Sequence, residues 1–111
     1  MTLFEKIAAG EIPADIVYED EHCLAFHDIA PAAPVHVLLV PRKVIPRINE
    51  GGEANKDLLG HLMAKVPEVA AKLLLQDGYR VVINNGEHGG ETVPHLHIHI
   101  LGGRKLEWPP G

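Results

Sequence analysis

The chain of 111 residues has a single cysteine, Cys23, which excludes an internal disulfide and points to a reducing compartment. It has no long hydrophobic run: the longest uncharged apolar stretch, Ile29 to Pro41, contains three prolines and a histidine, where a membrane-spanning helix needs about 20 mostly apolar residues. No basic segment followed by an apolar one opens the chain, so neither secretion nor transit is signalled and a cytoplasmic location is expected. Basic residues are outnumbered, 10 against 15 acidic, for a net charge of −5, which argues against a protein that coats nucleic acid. Repeats, low-complexity tracts and linkers are also missing, so residues 1–111 read as one domain with one core. Hydrophobic (46%) and charged (23%) fractions near the globular average exclude disordered and fibrous classes. What is abundant is histidine, with eight in a short chain.

The pattern predicts a short helix over Thr2–Ala9, with Thr2 and Glu5 spaced as a capping box, Gly10 ending it, and Leu3, Phe4, Ile7 and Ala8 as its buried stripe. Ile16–Glu19 and Cys23–Asp28 read as a hairpin. Val35–Val40 is apolar on both faces apart from His36, as in a central strand, so His36 is expected to be enclosed. Asp57–Leu75 carries the one long helical periodicity, with Asn55 as N-cap, Gly78 as terminator and a kink or restart at Pro67. Arg80–Ile83 and His95–Leu101 are further strands around a polar loop, Asn84–Thr92. Strands on both sides of one helical region predict an α+β class with a mainly antiparallel sheet.

His95-Leu96-His97-Ile98-His99-Ile100 alternates strictly, so a side-chain period of two puts the imidazoles on one face and the aliphatics on the other. Three readings compete. One is a solvated polar face. A second is a metal site, but His95 and His99 would stand roughly 13 Å apart along a strand, against about 4 Å between ligands of one ion. A complete site would draw on His36 and Cys23; no Cys-x-x-Cys pair or His-Glu-x-x-His exists. The third is chemistry at phosphorus. A histidine with pKa near 6.5 is about three-quarters neutral at pH 7 and can attack, while a neighbour on the same face holds a proton. The loop from Asn84 to Thr92 supplies amides, a hydroxyl and glycines through which backbone N–H groups can approach an anion.

His95 to Leu101 fills the pattern His-φ-His-φ-His-φ-φ, φ being apolar, without a gap. With Glu11-Ile12-Pro13, Ala25-Phe26-His27-Asp28-Ile29, Pro34-Val35-His36, Gly89-Gly90 and the Trp108-Pro109-Pro110-Gly111 end, the chain resembles the histidine-triad (HIT) family over nearly its whole length, and within it the Hint branch of histidine-triad nucleotide-binding proteins. The resemblance implies a five-stranded sheet that dimerises into a larger one, and hydrolysis of purine nucleoside phosphoramidates through a nucleotidyl-histidine, without a cofactor. It assigns His97 as nucleophile and His99 to phosphate and leaving group. It makes His95 an orienting residue through its carbonyl, and His36 the relay that fixes the tautomer of His97. Asn84, Gly90, Thr92 and Val93 would meet phosphate or leaving group, Asp28 the ribose, and Phe4, Ile7, Phe26, His27 and Ile29 the purine. Trp108 would reach toward a neighbouring subunit. No metal is required, though adventitious zinc could find Cys23, His36, His97 and His99.

By pattern alone, Phe4, Ile7 and Phe26 are packing residues, Asp28 a turn former before Pro31, Asn84 a loop tie, and His22, His61 and His88 surface residues. Asp28 and His27 can line one pocket only where their strand ends. Val44, Pro67 and Pro94 depart from the family's pattern, the last where an aromatic is usual. The alternatives are a non-catalytic purine-nucleotide-binding regulator, a dinucleoside polyphosphate hydrolase and a zinc-binding protein.

Overall fold

A computed structural model describes residues 1–111. The elements run α1 (Leu3–Ala8), β1 (Ile16–Glu19), β2 (Cys23–His27), β3 (Val35–Pro41), α2 (Lys56–Lys72), β4 (Tyr79–Val82) and β5 (Ile98–Gly102), with 3-10 turns at Glu53–Asn55 and Glu87–Gly89. The five strands form one sheet in the order β1-β2-β3-β5-β4, and every neighbouring pair is antiparallel. The class is α+β, as the pattern of elements implied.

The sheet separates two apolar clusters. On one face, Cys23, Ala25, Val37, Leu39, Leu96, Ile98 and Ile100 meet Leu62, Val66, Val69 and Ala70 of α2. On the other, Leu24, Phe26, Leu38 and Val40 meet Phe4 and Ile7 of α1. Strict alternation along β2, β3 and β5 sorts the side chains, because a one-residue slip would exchange the faces. His36 shares the α1 face with Leu38 and is buried, and His99 stands opposite Leu38 in the β3–β5 register.

Both helix ends use the same hydrogen-bond pattern. At α1, Gly10 N–H reaches Ile7 and Glu11 N–H reaches Lys6; at α2, Leu74 N–H reaches Ala71 and Leu75 N–H reaches Ala70. The residue at the bend is left-handed in each, Gly10 at φ 78° and Leu74 at φ 59°. Glycine takes that conformation freely, whereas leucine does so at a cost of about 1–2 kcal/mol. This bend stops α2 at Lys72, before the expected Leu75, and it leaves Leu74 exposed; Gly78 lies in the turn beyond.

Other expectations need correction. Leu3 is exposed rather than part of the α1 stripe, which Phe4 and Ile7 form with the partly buried Ala8. The capping box of Thr2 and Glu5 is present in full. Asn55 does not cap α2 with its side chain, which instead donates to the Gly51 carbonyl and accepts from Lys43. Helix α2 neither breaks nor restarts at Pro67. The carbonyl that loses its partner belongs to Met63, a half-exposed residue. Strand β5 starts at Ile98 rather than His95. Pro94 brings no N–H, and Leu96 N–H bonds to the Ile45 carbonyl instead of extending the ladder. The alternation of faces nevertheless continues back through His97 and Leu96.

Candidate active site

Four histidines converge on the α1 face, and the atoms around them decide where each proton sits. Ala32 N–H donates to His36 Nδ1 at 2.9 Å. That nitrogen is therefore an acceptor, and the proton of neutral His36 lies on Nε2, which donates to His99 Nδ1 at 2.9 Å. His99 in turn carries its proton on Nε2, and this atom is buried with no partner. An N–H left bare in a buried site costs about 1–3 kcal/mol unless something binds it. It is a donor waiting for an acceptor.

His97 has the opposite tautomer. Its Nδ1 lies 2.8 Å from the His95 carbonyl, which can only accept, so the proton is on Nδ1 and the Nε2 lone pair is free. The rings of His97 and His99 are 4.9 Å apart between centroids. One face of the sheet thus offers a nucleophilic nitrogen beside a donating one. This corrects the expected relay: His36 sets the tautomer of His99, whereas the His95 carbonyl sets that of His97. The register Leu38↔His99 is the reason, since it brings His36 alongside His99 and leaves His97 beyond the end of that pairing.

His95 is fully buried and anchors the group. Its Nε2–H donates to the Pro41 carbonyl at 2.8 Å and its Nδ1 accepts from the Thr2 hydroxyl at 2.7 Å. Thr2 is also the N-cap of α1, so one hydroxyl ties the helix to the histidines. Phe4, two residues on, packs edge-on against His95 and His97 at 5.5 and 5.0 Å. Burial lowers the pKa of His95, against the pull of Pro41. Burial also pushes that of His99 down to about 4, helped by His97 and His36 and opposed by Asp28, so His99 is neutral at pH 7.

Beside the histidines lies a cavity of about 140 Å³ whose walls are largely apolar, including Phe4, Ile7, Phe26 and Leu38, with His27 and Asp28 at one end. Strand β2 stops at His27, the condition under which His27 and Asp28 line one pocket. Asp28 accepts from Ala30 N–H at 2.9 Å, as a turn former would, while its other oxygen lies 3.5 Å from His36 Nε2. Ile29 stands at the rim, almost wholly exposed. A larger cleft near Glu21 and Arg42 is open and polar and holds no comparable convergence of histidines.

Of the loop residues, Asn84 and Val93 are half-buried and Gly90 and Thr92 exposed. Gly86 and Gly90 hold φ of 81° and 84°, which side chains resist. What fixes this loop was not foreseen. Glu91 receives Arg47 through two parallel bonds of 3.0 Å and also accepts from Gly86 N–H at 3.0 Å. The Arg47 guanidinium, then the Gly86 amide, hold the Glu91 carboxyl below its ordinary range. Asn49 N–H adds a bond to Asn85. Glu91 stood in the glycine loop as a visible charge; its partner lies 44 residues away, and no local pattern marks it. Thr2 was legible only as a cap.

Two expectations concern residues elsewhere. Trp108 lies over Arg80 of β4 at 6.0 Å and is exposed; it does not line the cavity of its own chain. Cys23 cannot join His36, His97 and His99 around one zinc ion, because alternation along β2 turns it to the α2 face. Asp28, His36 and His99 each offer one donor atom within 4.8 Å of the others; a hydrogen bond joins His36 to His99, and Asp28 stands 3.5 Å from His36 Nε2.

The matched family model, described as HIT domain, covers residues 9–106. The chain belongs to the HIT family. Among relatives, it is 46% identical to a 14 kDa zinc-binding protein of Zea mays, over 99% of this chain and 88% of that one. Among solved structures, a HIT family hydrolase from Legionella pneumophila superposes with a TM-score of 0.94 at 46% identity, covering all of both chains. A histidine triad nucleotide-binding protein from Candida albicans superposes with a TM-score of 0.83 at 29% identity, covering 98% of this chain and 83% of that one. The five-stranded sheet with one long and one short helix is thus the HIT fold.

Proposed function

We propose that this HIT protein hydrolyses purine nucleoside phosphoramidates, or related nucleotidyl conjugates, to the nucleoside monophosphate. The observation that carries the reading is the pair of opposite tautomers on His97 and His99. The His97 Nε2 lone pair attacks the α-phosphorus, the phosphorus–nitrogen bond breaks, and the departing amine takes up a proton. Water then cleaves the phosphorus–His97 bond and restores the imidazole. His99 Nε2–H donates to a phosphate oxygen, and the anion so bound draws a proton onto the ring that can pass to the amine. The apolar cavity takes the base, with Phe4 and Phe26 on its walls, and Asp28 the ribose hydroxyls. Asn84, Gly90, Thr92 and the Val93 N–H face phosphate and leaving group. The residues act in a cytoplasmic homodimer, in which the unpaired edge of β4 joins that of a second copy and Trp108 crosses to the other cavity.

The test is turnover of adenosine phosphoramidate by the full chain. His97→Ala is expected to lose on the order of 10⁴-fold in kcat, as removal of a nucleophile does. Rapid quenching of the native chain should give a covalent nucleotide adduct that is missing in the variant. Full activity in His97→Ala would overturn the assignment, and tight AMP binding without any turnover would favour a regulator instead.

A further inference from the structure

The α2 face of the sheet holds a second convergence of ligating side chains, on residues the hydrolytic reading does not use. Asp20 lies in the β1–β2 turn, Cys23 opens β2 and His61 sits on α2, each offering one donor atom within 4.8 Å of the others. The ring of His22, in the same turn, stands edge-on to His61 at 5.0 Å. We propose that Asp20, Cys23, His61 and His22 form a binding site for a divalent transition ion of the zinc class, separate from the histidine face and on the opposite side of the sheet.

The donor set is one thiol, two imidazoles and one carboxylate, the combination that suits a four-coordinate zinc ion. The cluster is also held in place before any ion arrives. Asp20 Oδ1 is fixed by the amides of His22 and Cys23 at 2.7 and 2.8 Å, which leaves Oδ2 turned toward His61 Nε2 at 2.8 Å, with Tyr18 OH donating to the same oxygen at 2.8 Å. The Cys23 thiol is wholly buried, while His22 is exposed; besides the His61 ring it meets only the exposed Glu21, a contact it would give up on turning inward. Bonds of about 2.0–2.3 Å bring ligands within about 4 Å of each other, so the three donors need to close by about 1 Å or less. A hydrogen-bonded Asp20–His61 pair would be enough to pin α2 to the turn, but it gives no part to a thiol facing the same point.

Binding has a defined proton balance. The Cys23 thiol loses its proton to solvent as the sulfur–metal bond forms, and the His61 proton moves from Nε2 to Nδ1 so that Nε2 can coordinate. Without the ion, burial first and the Asp20 charge second push the thiol up to about 12, so the proton is present to be released. Burial also works against the Asp20 charge, but the two amides, Tyr18 and His61 outweigh it and hold the carboxyl well below the usual range.

The experiment titrates the purified full chain with Co²⁺ alone, following the thiolate-to-cobalt absorption band, and with Zn²⁺ in equilibrium dialysis. The expected result is one ion per chain, a thiolate band, and about one proton released per ion. Cys23→Ser should abolish the band, and His61→Gln should weaken binding by roughly tenfold or more, while His99→Ala keeps both band and affinity. Thermal unfolding of each variant checks that it is folded; if Cys23→Ser is not, His61→Gln decides. The proposal falls if no stoichiometric binding occurs, if the thiolate band is missing, or if binding survives His61→Gln and disappears in His99→Ala. None of these results depends on phosphoramidate turnover, so the hydrolytic reading stands or fails separately.

Discussion

Two histidine clusters occupy opposite faces of the same sheet, and they differ in what satisfies each ring. On the α1 face, backbone groups meet one nitrogen of each of three rings: the Ala32 amide on His36, the Pro41 carbonyl on His95 and the His95 carbonyl on His97. Backbone partners cannot titrate or swing away, so they set the tautomers of these three rings, and through His36 that of His99, leaving His97 Nε2 and His99 Nε2 without a partner. On the α2 face, His61 meets a carboxylate and His22 meets another ring and an exposed glutamate. The same residue type thus has fixed tautomers and bare nitrogens on one side and a carboxylate partner on the other, according to its neighbours.

The largest effect that should separate the faces is on turnover. His99→Ala removes the bare donor and should lower kcat by about 10²-fold or more while nucleotide affinity, read by titration with AMP, changes far less. His36→Phe should lower kcat in the same direction and by less, because it frees His99 to take either tautomer; equal kcat in His36→Phe and the native chain would break the relay. By contrast, His61→Ala should act on stability, detaching the turn from α2 at a cost of about 1–2 kcal/mol in denaturant unfolding.

The next effect is on pH. His99 has a folded pKa of about 4 against an ordinary 6.5, so the unfolded chain binds the extra proton first. The stability this ring confers is present above pH 6.5 and is lost as pH falls through about 4. His95, lowered by burial, contributes in the same direction. Unfolding midpoints measured from pH 7.5 to pH 4 should decline over that window, and less steeply in His99→Asn.

Smaller again is the strap on the loop. Glu91→Gln loses the charge that Arg47 grips in two bonds, and a small drop in the unfolding midpoint with a raised KM for phosphoramidate is expected. The smallest change is a gain. Leu74→Gly relieves the left-handed leucine that ends α2, and it should raise stability by about 1 kcal/mol in thermal or denaturant unfolding.

Much of this was legible from local pattern. The alternation of His95 to Ile100 sorted imidazoles from aliphatics, and the run Val35–Val40 placed His36 in a central strand. Thr2 and Glu5 marked the start of α1. The end of α2 was misjudged because the periodicity runs on through Leu73 and Leu74, and nothing in a leucine announces a left-handed bend. Cys23 was grouped with the triad because a sequence lists ligands without saying which face they occupy. Arg47 and Glu91 were missed because an ion pair between residues 44 apart, with α2 and β4 between them, has no sequence signal.

The order of residues was enough to decide periodicity, caps and the chemical types available, since these depend on neighbours within a few positions. Which ring faces which, where each proton resides, and how Asp20 comes to share a point with His61 were decided only by the folded sheet. Strand register and burial act between residues far apart in the chain, and hydrogen bonds made there select one tautomer from two that are nearly equal in water.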